Sequence, residues 1–330
     1  MKKTLIASAA LAALLGFTAA AEATELKLSH VRPQGATIDL ELNQFADLVK
    51  DATAGDVSVK IFAASALGDY TTVQERVSVG AVDMACQPAA SGADRRMQIS
   101  SFPYLADNWE QARKIYGPGG VVREAMGELY AKQDITMLAA YPVYFGGIAL
   151  NREAVSPGDP NVAKGIKVRV PGIKSFQMLG DSLGYISSPI PFSEAFTAVQ
   201  TGVVDGVIGS GAEGYYASFR DVTKTYIPAN THFEVWYLII NSGVLADLED
   251  KDRAALEEAA REFEAARWVV AQEDQGKNEQ KLAAEGAVIV ELSDAELAAM
   301  AKKVRAEVWP EILEDVGADW GQGILDKAAN

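Results

Sequence analysis

The 330-residue sequence holds one cysteine, Cys86, and two histidines, His30 and His232. A single cysteine excludes an intrachain disulfide and any CxxC or cysteine-rich metal site. Two scattered histidines leave no HExxH pair for a zinc hydrolase, and no G-x-S-x-G nucleophile elbow is present. Cations are scarce as well: 30 Lys and Arg stand against 45 Asp and Glu, a formal net charge of -15. A chain this acidic repels phosphate backbones, which argues against nucleic acid as a partner. Beyond the N-terminal segment no run is long and apolar enough to predict a membrane-spanning helix. Cys86 sits in the apolar run 82–86 and reads as a small core residue.

The one long apolar run follows Lys2-Lys3, covers 5–20 and ends at Ala21-Glu22-Ala23, an A-x-A site. That pattern predicts a secretory signal peptide over 1–23, cleaved after Ala23, and a periplasmic protein. A retained anchor would need about 20 apolar residues with suitable flanks. Cleavage removes Lys2, Lys3 and Glu22, so the mature chain is more acidic still. With 49% hydrophobic residues, the roughly 300 that remain suffice for two cores.

The rest of the chain is organised around 164–211. Residues 166–170 alternate apolar and cationic side chains, the mark of a half-buried strand with Lys167 and Arg169 on one face. Pro171-Gly172 ends it. A helix over 175–183 follows, then a strand-like run, a second helix over 193–201 with Ser193 as N-cap, and a buried strand over 203–208. Strand and helix alternate, which predicts an α/β sheet domain. Residues 72–86 repeat the ending: a helix closed by glycine (Gly80, Gly202), then Val-Asp opening an apolar strand (Val82-Asp83, Val204-Asp205). G-x-V-D is a common connector, yet two of them favour two α/β halves of similar build, with a ligand cleft between them.

Further strands are expected over 26–30, 57–62, 135–141, 148–151 and 233–241, and helices over 40–52 and 113–133. Residues 250–281 read as one long helix, about 45 Å at 1.5 Å per residue. Its apolar stripe is Leu256, Ala259, Ala260, Phe263, Ala266 and Val270, with Glu257 and Arg261 as a solvent-side i,i+4 pair. An amphipathic helix over 293–313 follows, and Trp320 is placed to pin the C-terminus.

Three motifs, KGIKVRVPG (164–172), PIPFSEAFTAVQTGVVDG (189–206) and ALGDYTTVQERVSVGAVDM (66–84), together resemble the dicarboxylate-binding (DctP) type of solute-binding protein that serves tripartite ATP-independent periplasmic (TRAP) transporters. The resemblance spans essentially the whole mature chain. It implies two α/β domains of the periplasmic-binding-protein kind, joined by a long bridging helix and closing over a small organic acid. The boundaries expected are 24–147 with 236–268 for domain I, and 148–235 with 269–330 for domain II. It further implies delivery of the ligand to TRAP membrane permease subunits, a monomer, and no cofactor, metal or catalytic residue.

The resemblance places Arg169 against the ligand's carboxylate, and a planar guanidinium suits two carboxylate oxygens in a poorly hydrated cleft. His30, at the end of the first strand, falls at a ligand-touching place, though it equally suits a turn cap. Gln87 and Phe192 fall at pocket-lining places, and Tyr144, Phe145, Gly209, Tyr215 and Trp236 near the expected cleft strands, where aromatics also serve as core. Two polar positions of many members are missing, an arginine near Gly146 and an asparagine after Val204-Asp205-Gly206. The implied ligand is therefore compact or partly apolar, a carboxylate or an organosulfonate, rather than a highly hydroxylated acid. Gly209-Ser210-Gly211-Ala212-Glu213-Gly214 spells G-x-G-x-x-G, the dinucleotide fingerprint. Its third glycine leads to Tyr215-Tyr216 and no strand ends in an acid about 20 residues on. It is read instead as a close-approach loop whose helix N-terminus faces an anion. The rival class is a secreted hydrolase or lyase acting on a small organic acid, although no spacing singles out a catalytic pair.

Overall fold

The structure, a computed structural model, describes residues 23–329; the expected signal peptide lies almost wholly outside them. Strand β1 (Thr24–Ser29) pairs in parallel with β2 (Val57–Phe62) and β3 (Met84–Gln87). Two long strands, β4 (Ile135–Phe145) and a strand much later in the chain, Phe233–Asn241, complete a five-stranded sheet. Between them the chain builds a second sheet. It comprises β5 (Gly147–Leu150), β6 (Lys167–Val170), β7 (Ile186–Pro189), β8 (Gly206–Ser210) and β9 (Thr225–Ile227). The late strand is β10 (Phe233–Asn241), and β11 (Val288–Ile289) closes the edge of the second sheet. The orders are β2-β1-β3-β10-β4 and β11-β9-β5-β8-β6-β7.

Strands β4 and β10 are buried along almost their whole length, as strands covered on both faces must be. They carry no alternation, and β4 continues past Tyr141, where the expected strand ended, through Pro142 to Phe145. The chain leaves the first sheet at Gly146, whose N–H donates to the His232 carbonyl at 2.8 Å.

The two G-x-V-D connectors do the same work. Gly80 and Gly202 both adopt left-handed φ, +71° and +75°, which side chains other than glycine rarely tolerate. Each aspartate then secures the neighbouring parallel strand: Asp83 Oδ2 accepts the Lys27 N–H of β1 at 2.8 Å, and Asp205 Oδ2 the Lys167 N–H of β6 at 3.2 Å. Asp83 thus pins the middle of β1 and Asp205 the start of β6.

Several local expectations change. The helix expected over 113–133 is two, Trp109–Tyr116 and Val121–Ala131, because Gly117-Pro118-Gly119-Gly120 breaks the backbone. The helix Phe192–Gln200 begins behind Pro191, and Ser193 does not cap it. The tail is also divided, into Asp294–Glu307, Trp309–Val316 and Ala318–Ala329. Ser293 and Glu296 form a capping box at its start, and Pro310 opens the second piece.

The long helix is Asp250–Ala284, 35 residues and about 52 Å. It packs against β4, the helix Thr37–Ala52, the helix Ala212–Phe219 and β11, so it touches elements of both sheets. Its buried face runs Leu256, Ala260, Phe263, Arg267, Ala271, Asn278 and Leu282, whereas Val270 is 40% exposed. The stripe turns polar because it then covers backbone: Arg267 Nε donates to the Pro142 carbonyl at 2.9 Å, and Gln275 Oε1 accepts the Phe145 N–H at 2.9 Å. Arg261 pairs with Glu258, three residues back, rather than with Glu257. Among the described residues no helix is long and apolar enough to cross a membrane.

Candidate functional site

Both sheets send one strand into an arginine followed closely by proline: β1 into His30-Val31-Arg32-Pro33, β6 into Arg169-Val170-Pro171. Proline stops the ladder, and the arginine is left at the strand's end. Arg32 and Arg169 are each 1% exposed, and both line a cavity of about 40 Å³ whose wall is drawn from both sheets. That is several times the roughly 10–15 Å³ that one water needs, so the space suits a compact solute. Beside the wall residues Tyr70 and Phe192, Asp69 Oδ2 in front of the helix Tyr70–Ser78 accepts the Ser193 N–H at 3.4 Å.

The two arginines differ in what neutralises them. Arg32 Nε donates to Glu213 Oε2 at 2.9 Å, and Nη2 donates to the hydroxyls of Tyr144 at 3.2 Å and Ser210 at 3.4 Å. Its guanidinium lies 4.8 Å from the Trp236 ring and 5.1 Å from the Phe192 ring, close enough for cation–π attraction. Burial is the largest single influence and lowers its pKa, but Glu213 and Tyr144 together outweigh it and the net shift is upward. Arg169 Nε donates to the Ile190 carbonyl at 2.8 Å and its guanidinium lies 5.7 Å from the Phe192 ring. Among the described residues no carboxylate pairs with it, and burial lowers its pKa. The third deeply buried arginine, Arg267, resembles Arg32: it reaches Glu41 at 3.2 Å and Asp274 at 3.0 Å.

Beside Arg169 stands Tyr70, 6% exposed. Burial pushes its hydroxyl up to about 12, against the opposing pull of Arg169, so it is a neutral hydrogen-bond donor near pH 7. Ser100 and Ser101, from the 3₁₀ helix Arg95–Ser101, add two nearly buried hydroxyls. Glu234 brings a carboxylate to the wall, held by Trp236 Nε1, which donates to Oε1 at 2.8 Å, and by His232 Nε2, 3.0 Å from Oε2.

Of the residues singled out in the sequence, Arg169, Phe192, Tyr144, Gly209 and Trp236 line this cavity. The other four stand behind the wall. His30 is fully buried with Nε2 3.0 Å from Asp39 Oδ1, and burial, only partly offset by Asp39, lowers its pKa. Gln87 Nε2 donates to the Tyr70 carbonyl at 2.7 Å and so braces that residue. Phe145 packs edge-on against Trp109 and Phe233. The Tyr215 hydroxyl donates to the carbonyl of Gly147 at 2.9 Å or Val207 at 2.8 Å, joining β5 to β8.

Arg32, Tyr70, Glu213 and Glu234 were not found from the sequence. For Arg32 a signal existed, the repeated strand-arginine-proline ending. For Glu234 none did, since β10 is buried on both faces and shows no periodicity. The G-x-G-x-x-G string also finds its reason here. A Cβ on Gly211 would stand 2.5 Å from the Tyr144 ring, and one on Gly214 2.4 Å from Arg32 Nη2. The glycines let Tyr144 and Arg32 approach the backbone and have no part in a dinucleotide site.

A profile described as bacterial extracellular solute-binding protein, family 7, matches residues 28–315. The C4-dicarboxylate-binding periplasmic protein DctP of Rhodobacter capsulatus is 26% identical over 96% of this chain and 94% of its own length. A solute-binding protein of Roseobacter denitrificans is 28% identical over 94% and 95%. Among solved structures, the Bordetella pertussis extracytoplasmic solute receptor binding pyroglutamic acid superposes with a TM-score of 0.83 at 24% identity, covering 93% of this chain and all of that one (100%). The sugar acid binding protein of Advenella mimigardefordensis in complex with galactonate does so with a TM-score of 0.86 at 19% identity, covering 93% and 98%. The chain therefore belongs to the family-7 bacterial extracellular solute-binding proteins, the DctP-type receptors of TRAP transporters.

Proposed function

We propose that this receptor holds a small organic carboxylate in the cavity beneath Arg169 and hands it to TRAP membrane permease subunits without chemical change. One observation carries the reading: among the described residues, of three deeply buried arginines two are paired with carboxylates and Arg169 with none. A buried cation without a partner is costly, and a ligand carboxylate supplies the missing charge with two parallel hydrogen bonds. Tyr70 stands ready to donate a third. The relatives named above for C4-dicarboxylate, pyroglutamic acid and galactonate point to the same chemical class.

The bounds expected from sequence, 24–147 with 236–268 and 148–235 with 269–330, cut β10 and β5, so the lobes we assign are 24–146 with 233–268, and 147–232 with 269–329. The C-terminal helices follow the second lobe in sequence but also strap the first: Trp309 Nε1 donates to the Pro103 carbonyl at 2.8 Å, and Arg95 meets Asp315 at 3.1 Å. The working form is a periplasmic monomer, freed of residues 1–23, that binds no nucleic acid. Nothing in the cavity pairs a nucleophile with a base, so an acid-transforming enzyme is the weaker reading.

The test is thermal unfolding of the mature protein against small carboxylates, sulfonates and neutral sugars. A ligand at 100 times its Kd raises stability by about 2.7 kcal/mol. Stabilisation by carboxylates that disappears in Arg169→Met supports the proposal. Stabilisation by neutral compounds alone, or turnover of the bound acid, refutes it.

A further inference from the structure

Two arginines in one cavity would ordinarily suggest a ligand with two carboxylates, one for each. The charges that surround them argue otherwise, and we infer that this receptor selects monocarboxylates and rejects dicarboxylates of the same length. The inference rests on the reading of Arg169 as the carboxylate anchor.

The cationic groups of the wall are Arg32 and Arg169; Glu234 stands on the same wall, and Glu213 lies directly behind Arg32. Two guanidinium groups thus face two carboxylates. Glu213 spends one oxygen on Arg32 Nε, while its other oxygen, Oε1, is buried and has no hydrogen-bond partner among the described residues. A ligand carboxylate brought to Arg32 would therefore meet a carboxylate already in place, with a bare oxygen, in surroundings that screen charge poorly. Two of Arg32's other donor contacts are committed as well, to Tyr144 and Ser210, and aromatic rings lie on it at 4.8 and 5.1 Å. Its charge is answered before a ligand arrives.

Arg169 is the opposite case. One nitrogen is tied to a backbone carbonyl, and among the described residues no acid pairs with it, only the charge of Asp69 acting on it from beyond ion-pair distance. Only here does the site call for a negative charge, and it calls for one. Glu234 sharpens the limit, because His232 and Trp236 hold its two oxygens at the wall, where they oppose a second anion. What remains for the body of the ligand is apolar or neutral: Phe176, Phe192 and Trp236 for hydrocarbon, Ser100 and Ser101 for at most a hydroxyl, oxo or amide group.

The experiment uses matched pairs that differ only in the second carboxylate, butyrate against succinate and pentanoate against glutarate, titrated into the mature protein by calorimetry at neutral pH. The expected result is that each monocarboxylate binds at least tenfold more tightly than its partner, and that Arg169→Met abolishes binding of all four. The same pairs are then titrated into Glu213→Gln, which leaves Arg32 charged without its counter-ion. There the preference is expected to shrink or reverse, with the dicarboxylates gaining at least tenfold relative to the parent protein. Dicarboxylates that bind the parent protein as tightly as monocarboxylates, and depend on Arg169, overturn the selection and leave the anchor standing. No binding by any anion that Arg169→Met weakens overturns the anchor reading itself. Should Glu213→Gln fail to fold, the comparison in the parent protein decides alone.

Discussion

Replacing Arg169 by methionine separates the two things a buried arginine can be for. The side chain is 1% exposed and makes one protein hydrogen bond, to the Ile190 carbonyl at 2.8 Å. Methionine keeps much of the volume and removes the charge. The lost hydrogen bond costs about 1 kcal/mol, while relief from burying an uncompensated cation returns as much or more. The ligand-free variant should therefore melt no more than about 2–4 °C below the parent protein, or above it. Binding behaves differently. Removing one partner of a buried, hydrogen-bonded ion pair costs about 2–5 kcal/mol, so anion affinity should fall by roughly 30-fold to several thousandfold. Thermal unfolding with and without the anion, together with calorimetric titration, reads both quantities on one sample. A variant that unfolds far below the parent protein without ligand would falsify the argument, since the guanidinium's essential partner would then lie in the protein. Affinity retained within about threefold would refute it equally.

Arg267→Met should do the reverse. It strands Glu41 and Asp274 beside the buried turn of the long helix, and urea unfolding should show a loss of about 3–5 kcal/mol. His30 gives a pH test. Its folded pKa lies below the ordinary 6.5, so below that pH the unfolded chain takes up a proton that the folded chain refuses. Its contribution is complete above about 6.5 and is lost as pH falls through 6.5 toward the folded value, by at most about 1.4 kcal/mol per pH unit. Urea unfolding from pH 8 to pH 5 should accordingly show a steeper fall for the parent protein than for His30→Asn. Cys86 is fully buried and burial drives its thiol well above the usual range. A thiol reagent at pH 8 should leave the folded protein untouched and label it on unfolding; rapid labelling of folded protein contradicts this placement.

Much of the site was legible where local pattern carried it. Arg169 was singled out because the motif around it, KGIKVRVPG, resembles the family's; the local alternation that stops at Pro171 placed it only on a strand. Arg32 ends its strand in a similar way, but only the fold brings its guanidinium to within 4.8 Å of Trp236, 204 positions later in the chain. The assignment of His30, Gln87, Phe145 and Tyr215 to the wall could not be decided from sequence, because a buried strand-end residue reads alike whether it faces a cavity or lies one layer behind. The partition of 113–133 into two helices was readable in Gly117-Pro118-Gly119-Gly120, whose break overrides the helical pattern on either side.

By itself, then, the sequence determined the class: alternating elements, two glycine–Val-Asp connectors, and an arginine just ahead of the strand-stopping Pro171. Those properties depend on residues within a few positions of one another. Only tertiary structure decided which charges cancel. Glu213 neutralises Arg32 across 181 positions of sequence, Glu41 and Asp274 neutralise Arg267, and among the described residues no carboxylate pairs with Arg169. Electrostatic pairing follows distance in space and the dryness of the surroundings, and neither can be read along the chain.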